Sequence, residues 1–88
     1  MKEAEKVLAD CKKILIDRGK QYGSANKLYA VTAAMWAAYT KSDIESSDVC
    51  VMMALMKIGR LSQGVDGAAL EDTYKDAINY LALAKGLD

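Results

Sequence analysis

Residues 48–61 read "DVCVMMALMKIGRL", a run that is apolar at almost every position until Lys57 and Arg60. Read as a helix, it is hydrophobic nearly all the way round, which marks a buried, central element rather than a surface helix with one wet face. Ser46 or Ser47 starts it, and Asp48 falls in the first turn, where the helix dipole favours an anion. Cys50, Met52, Met53 and Met56 supply soft, adaptable packing, and a row of methionines is more often core than binding surface.

Working outward, residues 2–17 place Val7, Cys11, Ile14 and Leu15 at helical spacing, with Glu3, Lys6, Lys12 and Lys13 on the solvated side. Gly19 is the expected stop. Beyond the "QYGS" turn, Ser24 caps a second helix to about Thr40 with a stripe of Leu28, Val31, Met35 and Tyr39, and Trp36 beside it. Its many alanines allow close approach of a neighbour. The polar stretch "TKSDIESSD" precedes the central helix, and "SQGVDGA" follows it. From about Ala68 a fourth helix carries Leu70, Tyr74, Ala77, Leu81 and Ala84 as its apolar stripe.

The expected architecture is all-α, a small antiparallel four-helix bundle forming a single domain over residues 1–88. At 88 residues the chain is near the lower size at which one apolar core suffices. Completion of that core by homo-oligomerisation follows as an expectation, and fewer, longer helices closed by a partner are the competing arrangement. With 52% hydrophobic and 27% charged residues and no proline, the composition suits an ordered helical protein.

Twelve basic residues balance twelve acidic ones, so no bulk field draws the chain to duplex nucleic acid or an anionic membrane. No signal segment or apolar span is evident, making a cytoplasmic location the default. The absence of histidine removes His-based catalysis and the usual zinc sites. Cys11 and Cys50 read as buried, reduced thiols. Ser, Thr and Cys have no imidazole to activate them, and no P-loop is present.

Chemistry concentrates at two places. On the fourth helix Asp72, Asp76 and Tyr80 recur every four residues, with Asn79 one turn after Asp76, inside the apolar run "DAINYLALA". An aspartate there needs a partner. Lys57 and Arg60 are the candidates, either as a structural salt-bridge network or as cations facing a bound phosphate. The second place is "RGKQYGSANK", residues 18–27, where Lys20, Tyr22 and Asn26 offer a cation, a stacking ring and an amide near a helix start. The same residues also read as a connector, with Tyr22 packed to anchor the turn.

The order "YGSANKLYAVTAAMWAAYT … DVCVMMALMKIGRL … DTYKDAINYLALA" resembles a family of small, mostly phage-encoded proteins of unknown function with a Tyr-Gly turn, D-V-x-x-M-M-x-L-K-I-x-R and D-x-x-x-Y. The resemblance spans about residues 17–84. More distantly the chain is similar to the nucleotide-modification-associated domain and to MazG-like NTP pyrophosphohydrolases. The positions matched are Tyr22, Gly23, Trp36, Asp48, Lys57, Arg60, Asp76 and Tyr80. MazG-like enzymes hold Mg²⁺ with paired acidic motifs, and this chain has Lys57 and Arg60 where acids are expected. The resemblance therefore implies a non-catalytic, MazG-like bundle that binds a nucleotide or cyclic nucleotide without a cofactor. Tyr22 or Trp36 would stack on the base, and Lys57 and Arg60 would hold phosphate. Sequestering a nucleotide signal of host anti-phage defence is the role this suggests. The alternatives are a divergent Mg²⁺-dependent pyrophosphohydrolase using Asp48, Asp72 and Asp76, and a protein-binding inhibitor of a host defence system.

Overall fold

The computed structural model describes residues 1–22 and 25–87 as four helices: α1 (Lys2–Tyr22), α2 (Ala25–Thr40), α3 (Ser46–Leu61) and α4 (Gly67–Gly86). The expected cap Ser24, the turn glycine Gly23 and the Tyr22 side chain lie outside the described residues. Among the described residues there is no strand, and no helix is long and apolar enough to cross a membrane.

Helices α3 and α4 form the main seam, and the outer helices each lean on one member of it, α2 on α3 and α1 on α4. The packing order is thus α1–α4–α3–α2, an opened bundle rather than a closed square. Its radius of gyration is 14.0 Å, against about 12 Å for a compact chain of this length.

The seam is built from small groups. Cys50 and Ala54 of α3, and Thr73 and Ala77 of α4, are all buried. Residues at these spacings share one helix face, and side chains this short let two axes approach toward the near end of the ~8–10 Å range. Thr73 directs its hydroxyl back to the Ala69 carbonyl at 2.7 Å, which satisfies it inside the seam. Burial pushes the Cys11 and Cys50 thiols up, so both free cysteines stay protonated and inert. Helix α1 is tied to α4 by Asp10, 3.4 Å from Lys75, and by the Cys11 thiol, which donates weakly to the Lys75 carbonyl at 3.8 Å.

The helix ends follow local chemistry. Asp48 accepts a hydrogen bond from the Glu45 backbone N–H at 2.9 Å, so the first turn of α3 is closed from within. Asp48→Ala is expected to cost about 1 kcal/mol, read as a lower urea midpoint with an unchanged slope. Helix α2 ends with Lys41 at φ 57° and the Ser42 N–H bonded back to the Ala37 carbonyl at 3.3 Å. This is a left-handed terminus at a position that glycine would fill with less strain.

Four expectations need correction. Gly19 does not end α1, which continues to Tyr22; one glycine costs a helix only about 1 kcal/mol, too little to stop it. On α2 the stripe Leu28, Val31, Met35 and Tyr39 faces outward, each residue more than half exposed. The opposite face goes in: Ala33 is buried, with Tyr29, Trp36 and Ala37 partly so. On α4, Tyr74 and Leu81 are about half exposed, while Thr73 and Asn79 take buried places. Helix α3 is central in the packing order, yet Val51, Met52, Leu55, Met56 and Ile58 remain open on one side.

Candidate functional site

A cleft of 280 Å³ opens where the end of α1, the start of α2 and the second half of α4 meet. Each helix contributes one face at spacings of three and four: Leu15, Arg18 and Gly19 from α1; Ala25, Leu28 and Tyr29 from α2; Asp76, Asn79, Tyr80 and Leu83 from α4. The walls are mostly aliphatic and aromatic, with polar groups gathered along α4 and at the α1 rim.

Asp76 is the electrostatic centre. Lys57 reaches it across the α3–α4 seam at 3.1 Å, and Arg18 approaches from α1 at 3.6 Å. The Asp76 and Lys57 side chains are 17% and 14% exposed, whereas Arg18 is 56% exposed at the mouth. Two cations to one carboxylate leave a positive excess there. Because the guanidinium keeps donors free after one contact with Asp76, Arg18 can also meet an anion from solution.

Asn79 lies one turn further along α4. It is 7% exposed, and its amide nitrogen is buried with no hydrogen-bond partner among the described residues. An orphaned amide donor costs about 1–3 kcal/mol, so its position on the wall of a cleft stands out. Tyr29 and Tyr80 bring their rings to the same space. Burial, with Tyr80 and Cys50 nearby, pushes the Tyr29 hydroxyl up to about 12, so it remains a protonated donor.

Of the residues singled out from the sequence, Asp76, Asn79 and Tyr80 line the cleft and Lys57 stands behind Asp76. Lys20, Asn26 and Arg60 are exposed and do not line it, and Trp36 is partly buried along α2 outside it. Tyr22 lies outside the described side chains. Tyr29 was not anticipated, and Arg18 stands in the quoted segment 18–27 without having been named for a role. Arg18 continues the Cys11, Ile14, Leu15 stripe by one turn, and a charge on the extension of an apolar stripe is the signal that marks it. Tyr29 sits four before Ala33, on the face of α2 that proved to be the inner one.

Of the acids considered for a Mg²⁺ site, Asp72 and Asp76 lie one turn apart on α4 and Asp48 lies on α3. Asp48 caps α3, Asp72 is exposed, and Asp76 is held between two cations. Among the described residues no three thiol or carboxylate groups gather into a cluster that could hold a metal ion by themselves.

No curated protein and no solved structure matches the chain. Residues 6–88 match a domain of unknown function, DUF6378. That match takes in α1 almost from its start, the whole α3–α4 seam and every residue lining the cleft. By a match over nearly its full length, the chain belongs to the DUF6378 family.

Proposed function

We propose that this protein is a non-catalytic nucleotide-binding protein, with the base of a mononucleotide or cyclic nucleotide in the α1–α2–α4 cleft and its phosphate at the mouth. The buried Asn79 amide, without a partner among the described residues, carries the reading. A carboxamide offers a donor and an acceptor side by side, the pattern that the edge of a nucleobase presents in return. Tyr29 and Tyr80 supply ring surface for stacking. The cleft, 280 Å³, is at the small end of the roughly 300–1,000 Å³ typical of ligand pockets, which favours one base or nucleoside over a dinucleotide.

Phosphate recognition passes to Arg18 in this reading, because Lys57 is engaged by Asp76 and Arg60 lies off the cleft. The wider role proposed is sequestration of a nucleotide signal, in keeping with the phage-encoded proteins and MazG-like bundles that the sequence resembles.

Thermal unfolding against mono-, di-, tri- and cyclic nucleotides, with and without Mg²⁺, tests the reading. A nucleotide at a hundred times its Kd stabilises the fold by about 2.7 kcal/mol, and Arg18→Ala should weaken binding about tenfold or more. No shift with any nucleotide would sink the proposal. Asn79→Leu gives a second, opposite readout: it removes the orphaned donor, so it should raise stability by about 1–2 kcal/mol while abolishing the nucleotide shift. A less stable Asn79→Leu variant would show that the amide is satisfied and is not held open for a ligand.

A further inference from the structure

We infer that the outward faces of α2 and α3 are covered by a second copy of this chain, in a two-fold dimer. The inference is independent of what the cleft binds. From Leu28 to Thr40, helix α2 carries no Asp, Glu, Lys or Arg, and neither does α3 from Val49 to Met56. Yet Leu28, Val31, Met35 and Tyr39 are each more than half exposed, Tyr39 by 90%, and Val51, Met52, Leu55 and Met56 are open as well. A soluble surface helix normally turns charged residues outward. Interface cores, by contrast, are depleted of charge and enriched in aromatic residues and Met.

The surface area gives the scale. The chain exposes 6531 Å², whereas a compact monomer of its mass exposes about 5,100 Å². The excess, about 1,400 Å², exceeds the ~800 Å² that each partner buries in a standard interface and falls in the range of permanent homodimers.

A second copy is the occupant that fits. Under two-fold symmetry a patch meets itself, and any charge near the axis would face its own like. A charge-free patch avoids that repulsion. Ala30, Ala34 and Ala38, spaced by four and all exposed, let the two α2 backbones come close between the larger side chains. Leu28 belongs both to this face and to the cleft, so the dimer would border the cleft.

Sedimentation at micromolar protein should give about 19 kDa, twice the 9.6 kDa chain. Met35→Glu with Val31→Glu should give the monomer mass with helical circular dichroism retained. Leu8→Glu, at an exposed apolar residue of α1, should leave the dimer intact. A wild-type monomer, an assembly larger than two, or a dimer that survives the α2 substitutions would overturn the inference. Peroxide oxidation of the wild-type protein makes the test independent of variant folding. In the dimer, Met35, Met52 and Met56 should oxidise at least tenfold more slowly than Met1; equal rates would also overturn it.

Discussion

Asp76→Asn should destabilise the fold by about 3 kcal/mol, the lower end of the range for removing one partner of a buried ion pair. Lys57 stays behind, 14% exposed on the α3–α4 seam and facing a neutral amide. Arg18, more than half exposed, can turn to solvent and suffers less. A domain of this length has a total stability of about 4–13 kcal/mol, so the loss is a large fraction of the whole. The melting temperature should fall by roughly 15 °C. The double substitution Asp76→Leu with Lys57→Met should recover most of that loss, since a pair of apolar groups leaves no stranded charge. A double variant no better than Asp76→Asn alone would mean that the carboxylate acts through contacts other than Lys57.

The second large effect belongs to Ala54. It is 1% exposed and shares its helix face with Cys50 and with Lys57, which reaches α4. A leucine there must displace α4 or adopt a poor rotamer, and overpacking of this kind costs about 1–3 kcal/mol. With buried Thr73 and Ala77 on the opposing helix, Ala54→Leu should fall near the top of that range. Ala82→Leu, on the exposed side of α4, should change stability by less than about 0.5 kcal/mol. Guanidinium unfolding of the two variants makes the comparison directly. Equal midpoints would rule out a tight seam.

Helix number and the α3 start were legible because the signals are local: Gly64 and the polar stretch at 40–48 break the chain, and Asp48 sits where a first-turn acid belongs. The Lys57–Asp76 pair was legible as one of two outcomes, since a carboxylate in an apolar run needs a cation and few lie nearby. The inner face of α2 was not. Both of its faces are apolar, so the face of Leu28, Val31, Met35 and Tyr39 looked like core, while the face of Tyr29, Ala33, Trp36 and Ala37 is the one turned inward. Periodicity identifies a buried face only when the other face is polar. The cleft was legible in part for a different reason. Asp76 and Tyr80 stand out on their own helix, but Arg18 and Tyr29 join them only through the way α1 and α2 are placed.

The packing order α1–α4–α3–α2 carries a dynamic consequence. Each outer helix packs mainly against one neighbour, so the native state has a graded resistance to opening: α1 and α2 can lift off at a free energy below that of unfolding the central hairpin. The cleft draws its walls from both loosely held helices and from the hairpin. A molecule bound there would have to order all three, and would convert two independently breathing flanks into one cooperative unit.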